Sequence, residues 1–148
     1  MNGLVSALRI AMANTFVMYF KTQGFHWNVE GIHFSQYHSF FGDIYDDLYG
    51  SVDAFAENIR KLGEYAPKSL ADMYKSTTLV ESDIVGDSLK EMLNSLLTDN
   101  TEVLNSLNRT FALANTANEQ GLANYIAERI DAHKKHEWQI RSSLKGQE

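Results

Sequence analysis

Four side chains in the sequence have the types and spacing of metal ligands: His26, His38, Asp53 and Glu57. Asp53 and Glu57 form an i, i+4 pair, so on a helix they share one face and can direct two carboxylates at one cation. His38 precedes Asp53 by 15 residues. At about 100° per residue that leaves roughly 60° of net rotation, and His38 falls on nearly the same face. Distance is the obstacle: those residues span roughly 22 Å of continuous helix, whereas ligands of one ion hold their donor atoms about 2 Å from it. One copy of the helix cannot close the site. A two-fold axis near residues 45 and 46 would lay a second copy antiparallel, bringing His38 of one chain opposite Asp53 and Glu57 of the other and creating two identical sites. His26, across a turn from His38, would join from the same chain. Two imidazoles with two carboxylates suit divalent first-row metals such as Fe(II), Zn(II) or Mn(II). Taken singly, a helical histidine is more often a structural or surface group and an acidic pair a solvated face, so spacing alone leaves the two readings balanced.

The elements that must position these residues are legible from periodicity. The chain has 148 residues, 44% apolar and 22% charged, enough for a core and about the length of a single domain over residues 1–148. One proline and nine glycines are too few breakers for a sandwich or barrel of short strands. Apolar residues from Leu4 predict a first helix running to about Trp27, and Asn28 and Gly31 supply a turn. Phe34, Tyr37, Phe41, Tyr45, Leu48, Val52, Phe55 and Ile59 then mark a second helix of about seven turns, stopped by Leu62-Gly63 and Pro67. A connector between Pro67 and Gly86 carries Ser69-Leu70-Ala71-Asp72, a capping-box-like signal for a short helix. Leu89 to Phe111 mark a third helix, Ala114 to Asn118 break it, and Leu122 to Trp138 mark a fourth. The expected fold is all-α: a four-helix bundle of the ferritin-like kind, with a long crossover carrying a short helix between helices 2 and 3.

Composition excludes several classes of function. Without cysteine there is no disulfide scaffold, thiolate zinc site, iron–sulfur cluster or cysteine nucleophile. A net charge of −6 has the wrong sign for neutralising a phosphate backbone. The run Leu4 to Phe20 contains Arg9, Asn14 and Thr15 and lacks a basic leader, so neither a membrane span nor a signal peptide is expected, and a cytoplasmic location is.

The stretch from Phe20 to Gly31, including His26-Trp27-Asn28-Val29, followed by Phe34, His38, Phe41, Tyr45, Asp53, Ala56-Glu57, Ile59, Leu62-Gly63 and Pro67, resembles the Dps family of mini-ferritins. Residues Ala127 to Trp138 resemble that family's last helix. The resemblance implies a homo-oligomeric shell of twelve subunits that binds Fe(II), oxidises it with hydrogen peroxide in preference to other oxidants, and stores ferric mineral. It also implies a ferroxidase centre at the two-fold interface, with His26 and His38 from one subunit and Asp53 and Glu57 from its neighbour, Glu57 bridging two irons. Trp27 resembles a family tryptophan able to pass an electron or trap a radical; the alternative is a core aromatic at a helix end. One position departs from the pattern: many members carry an acid four residues after the second histidine, where this chain has Gly42, and Asp43 is turned about 100° away. A second iron is therefore expected to bind weakly or only during turnover. Asp46 shares the face of Asp53 but lies roughly 10 Å along the axis.

Weaker signals remain. A metal site inside one bundle needs paired Glu-x-x-His motifs, and only Glu30 to His33 fits, at a turn. His133 and His136, with Asp131 and Glu137 nearby, are either a second metal site or a buried or interface pair. The resemblance suggests acidic three-fold pores, for which Glu119, Glu128 and Asp131 are candidates. Twelve copies would carry a charge of about −72, and residues Ser142 to Glu148 hold one lysine, so no strong DNA binding is expected. The competing functional classes are a structural helical oligomer and a DNA-compacting protein.

Overall fold

A computed structural model of the chain describes residues 2–81 and 88–147. Gly86, the expected end of the crossover, lies outside the described residues, as does Glu148 at the end of the C-terminal stretch. The helices are α1 (Asn2–Asn28), α2 (Phe34–Gly50), α3 (Val52–Lys61), α4 (Leu70–Tyr74), α5 (Leu89–Thr116) and α6 (Gln120–Leu144). α1 packs on α2 and α5, and α5 packs on α6. With α2 and α3 taken as one rod interrupted at Ser51, these are the four long helices of a ferritin-like bundle, and α4 is the short helix of the crossover.

The expected uninterrupted second helix is broken at Ser51, and local hydrogen bonding explains the break. The Ser51 hydroxyl donates to the Leu48 carbonyl at 2.6 Å, and the Tyr125 hydroxyl donates to the Ser51 carbonyl at 2.7 Å. The Ser51 carbonyl is thus shared with α6, and its helical bond from the Phe55 N–H is stretched to 3.4 Å. Ser51 itself keeps right-handed helical angles, φ −87° and ψ −14°, so the interruption is confined to one residue. Beyond it, α3 ends where Gly63 adopts a left-handed φ of 88°. The Glu64 N–H then reaches the Ile59 carbonyl at 3.3 Å and that of Gly63 reaches Arg60 at 3.0 Å, closing a Schellman cap. Asn118, at φ 58°, closes α5 in the same way through Glu119 and Ala114.

The core runs the length of the bundle, with Leu8, Met18, Phe41, Ile44, Phe55, Leu93, Leu107 and Ile126 fully buried. Truncating any of these leucines or isoleucines to alanine would cost about 2–5 kcal/mol. Gly3–Asn28 has the length and mean hydropathy, 1.3, that a membrane span would need, by length and composition only. Of its 18-residue apolar window 61% is buried in the bundle, so that surface is already used against the other helices, as the sequence led one to expect. The polar residues of α1 tether the crossover. Arg9 donates to the Tyr65 carbonyl and Lys21 to that of Val80 at 2.9 Å. Buried Asn14 donates to the Thr78 hydroxyl at 2.9 Å and accepts from the Thr78 N–H at 2.8 Å. At α4, the Ser69 hydroxyl accepts from the Asp72 N–H and the Asp72 carboxylate accepts from the Lys68 N–H, each at 3.1 Å. The reciprocal bond thus falls one residue ahead of the usual capping box.

Candidate metal centre

The centre begins at the tight connection between α1 and α2. Gly31, at φ 116°, reverses the chain, and the Phe34 N–H bonds the Gly31 carbonyl at 3.1 Å, so the end of α1 lies beside the start of α2. His26 and His38 meet there with ring centroids 3.7 Å apart and planes tilted by 17°. His26 Nδ1 lies 2.5 Å from the His38 backbone carbonyl, and His38 Nδ1 lies 2.7 Å from the His26 carbonyl. A carbonyl oxygen only accepts, so each Nδ1 carries the proton. With Nδ1 engaged in this way, Nε2 is the ring nitrogen left to bind a metal. Phe34 stacks on the outer face of His38 at 5.1 Å, and Tyr45 stands edge-on to His26 at 5.1 Å. Both imidazoles are half-buried.

Asp53 and Glu57 are placed differently. Both lie on α3, beyond the interruption at Ser51, exposed and without an ion pair or side-chain hydrogen bond among the described residues. No cluster of three or more histidine, aspartate or glutamate side chains able to hold a metal forms among the described residues. The structure therefore brings His26 and His38 together and leaves Asp53 and Glu57 apart from them within one chain. Around the imidazoles the surface is unusually apolar: Phe20, Trp27 and Tyr49 are each more than half exposed. Trp27 is accordingly not a core aromatic. It is 58% exposed, edge-on to Phe20 at a centroid distance of 6.3 Å.

His133 and His136 lie inside the bundle in a network that leaves no room for a cation. Arg129 grips Asp47 through bonds of 3.0 and 2.9 Å, and His136 Nε2 donates to the same carboxylate at 2.6 Å. His133 Nδ1 donates to Asn100 Oδ1 at 2.7 Å, while Asn100 Nδ2 donates to the His133 carbonyl at 2.9 Å. A guanidinium already occupies the bundle interior, and a dication beside it would be repelled. Asp131 is exposed and takes no part, and Glu137 turns to Arg141 at 3.1 Å. Glu30 and His33, the lone Glu-x-x-His, are exposed at the turn. Of the acids considered for pores, Glu128 and Asp131 are exposed, while Glu119 is partly buried at the N-cap of α6.

Sequence reasoning missed two buried polar groupings. One is the Asp47–Arg129–His136 network. The other is the ion pair between Lys21 and Asp99, whose Nζ and Oδ2 lie 2.8 Å apart with both side chains over 90% buried. The available signal was a charged residue on an otherwise apolar helix face, which asks for a buried partner.

The ferritin-like domain family matches residues 5–146, almost the whole chain. Over the whole fold the chain is also similar to the crystal structure of Dps from Staphylococcus aureus, with a TM-score of 0.91 and 26% identity, covering 97% of this chain and 96% of that one. The chain is a ferritin-like protein of the Dps family. This Dps-family chain is 30% identical to an uncharacterised protein of Haemophilus influenzae over 95% of its own length and 87% of that protein's. It is 28% identical to the DNA protection during starvation protein of Brevibacillus brevis, covering 90% and 89% of the two chains. The Vibrio cholerae Dps structure, described as a member of a broad superfamily of ferritin-like diiron-carboxylate proteins, matches with a TM-score of 0.89 and 27% identity over 95% of this chain and 88% of that one.

Proposed function

We propose that this Dps-family chain is a ferroxidase and iron-storage mini-ferritin of the cytoplasm, which takes Fe(II) as its substrate at sites shared between subunits. The observation that carries the reading is the stacking of His26 on His38 with each Nδ1 held by the other's backbone carbonyl, beside exposed aromatic side chains. A second copy packed antiparallel on that face supplies what the first lacks, Asp53 of the partner subunit and Glu57 of the partner subunit. The description of the Vibrio cholerae relative as a diiron-carboxylate protein supports the donor set.

Each residue has a distinct task. His26 and His38 bind Fe(II) through Nε2, and their backbone-held Nδ1 protons keep the rings from turning away. Asp53 completes the ligand set, and Glu57 is the carboxylate that can span two ions. Carboxylate oxygen favours Fe(III) over Fe(II), because the harder, more highly charged ion gains more from anionic ligands. One hydrogen peroxide molecule accepts two electrons, one from each of two Fe(II) ions. Its O–O bond breaks, and two protons are taken up to give water, so no hydroxyl radical need escape. Trp27, exposed beside His26, is the side chain placed to quench a stray one-electron oxidant. The Fe(III) produced is stored as mineral in a hollow shell of twelve subunits. Zn(II) or Mn(II) would fit the same mixed donors. With a charge of −6 per chain, strong DNA binding is no part of this function.

Mixing the metal-free protein with Fe(II) and substoichiometric peroxide tests the reading. A fast rise in ferric absorbance is expected in the wild type and is lost in His26→Ala combined with Asp53→Ala. An unchanged double variant would favour a purely structural oligomer. Light scattering should give about 200 kDa for twelve copies of a 16.8 kDa chain, whereas a particle of monomer mass excludes any shared site.

A further inference from the structure

α2 carries two stripes of rings and apolar side chains. Tyr37, Phe41, Ile44 and Leu48 face the core and are buried. Phe34, His38 and Tyr45, at steps of four and seven residues, form the other. Their rings build one column with His26 of α1 inside it. Phe34 lies against His38 at a centroid distance of 5.1 Å and a tilt of 23°, His38 against His26 at 3.7 Å and 17°, and Tyr45 edge-on to His26 at 5.1 Å. Phe34 is the member whose presence the fold does not explain. It is 42% exposed and no part of the core cluster, yet it is fixed in place as the first residue of α2, its N–H on the Gly31 carbonyl at 3.1 Å. Its neighbour supplies the reason. The 2.7 Å bond from Nδ1 to the His26 carbonyl pins the His38 ring at one atom, and a ring pinned at one atom can still tilt about that bond. His26 blocks the tilt on one face of His38, and Phe34 blocks it on the other.

We propose that Phe34 is a positioning residue for the metal centre: its ring, stacked on the outer face of His38, holds that imidazole against His26, so that Nδ1 keeps the His26 carbonyl and Nε2 is left for the metal. At a tilt of 23° the two rings meet nearly face to face, in the offset-stacked arrangement that aromatic pairs favour and that a branched aliphatic side chain cannot reproduce. Phe34 offers no donor atom and acts only through His38. This inference rests on the metal reading above, and the test separates the two.

The test uses the assembled, metal-free protein with Zn(II) as probe, comparing wild type, Phe34→Leu, Phe34→Tyr, His38→Ala and Phe34→Leu combined with His38→Ala. Titration calorimetry should show Phe34→Leu weakening Zn(II) binding by about 10-fold, the lower end of what losing a group that orients a ligand usually costs, since the Nδ1 bonds remain. Phe34→Tyr keeps the flat ring and should bind as wild type does. In the His38→Ala background Phe34→Leu should change nothing further, because the imidazole it braces is gone. Tm without metal and particle mass by light scattering should be little altered in Phe34→Leu, whose lost ring lies outside the core. Unchanged Zn(II) affinity in Phe34→Leu would overturn the positioning role. So would an equal loss in Phe34→Tyr or in the His38→Ala background, or a fall in Tm or particle mass in Phe34→Leu, since the ring would then serve the fold or the assembly. A wild type that binds Zn(II) no better than His38→Ala would overturn the metal reading itself, a result that the Phe34 variants cannot produce.

Discussion

Arg129 and Asp47 meet in a two-pronged pair across the face between α6 and α2, with bonds of 3.0 and 2.9 Å. The arginine is almost wholly buried, while the aspartate is 35% exposed, so one end of the pair is screened by water and the other is not. α2 and α6 are thereby joined by charge, with Tyr125 on the Ser51 carbonyl at 2.7 Å as a second link. Removing the carboxylate strands a buried guanidinium together with His136. Asp47→Ala is expected to cost about 2–3 kcal/mol, less than a fully buried pair because of the partial exposure. Urea unfolding at fixed protein concentration measures this. A loss below about 0.5 kcal/mol, the usual range of a surface change, would show that the pair contributes nothing.

Acid should destabilise the bundle in two stages. Burial, and after it the charges of Arg129 and His136, hold the His133 imidazole well below its ordinary value of 6.5, against the opposing pull of Asp47. The folded protein therefore keeps His133 neutral where the unfolded chain takes up a proton. Stability is full above the unfolded value and falls as pH drops below it, by up to about 1.4 kcal/mol per pH unit. His133→Gln should flatten the decline in Tm between neutral and mildly acid pH. The same slope in the variant would assign the decline elsewhere. A second loss follows lower down. Burial pushes the Asp47 carboxyl up, but the hydrogen bonds from His136 and Arg129 and their charge outweigh this and hold it well below the usual carboxylate range. Its contribution is present above the unfolded value of 3.8 and disappears only as pH falls through the much lower folded value.

Sharing of the site between subunits has a sharp consequence for mixed assemblies. His26→Ala and Asp53→Ala should each be inactive alone, because every two-fold pair then contains two damaged sites. In a pair with one subunit of each kind, both lesions fall in one site and the other is intact. Dissociating and reassembling an equal mixture should therefore restore the fast ferric phase in about a quarter of sites. No recovery from a mixture that has demonstrably exchanged subunits would mean that each site draws its ligands from a single chain.

Much of the architecture was legible because helices announce themselves locally. Periodicity at Tyr37, Phe41 and Leu48 marked the buried face of α2, although Phe34, in the same pattern, is exposed, and Leu62-Gly63 marked the end of α3 through the left-handed glycine. Asn118 closed α5 where the apolar pattern lapsed, because asparagine tolerates the same left-handed turn. The interruption at Ser51 was not legible. A serine in a helix is unremarkable until the Tyr125 hydroxyl, 74 residues away, takes its carbonyl. Lys21 and Asp99, and likewise Asp47 and Arg129, give no sign in the sequence of which charge meets which.

The sequence alone determined the elements and the list of candidate donors, since helix period, caps and residue chemistry are properties of neighbours along the chain. It also determined that residues so far apart on one rod cannot surround one ion. Only the tertiary structure decided that the two imidazoles stack and that each donates an Nδ1 hydrogen bond to the other's backbone carbonyl. It likewise decided that His133 and His136 belong to a buried network around Arg129. The physical reason is that tautomer, desolvation and ring packing depend on the atoms brought alongside by folding, and spacing along the chain carries no record of them.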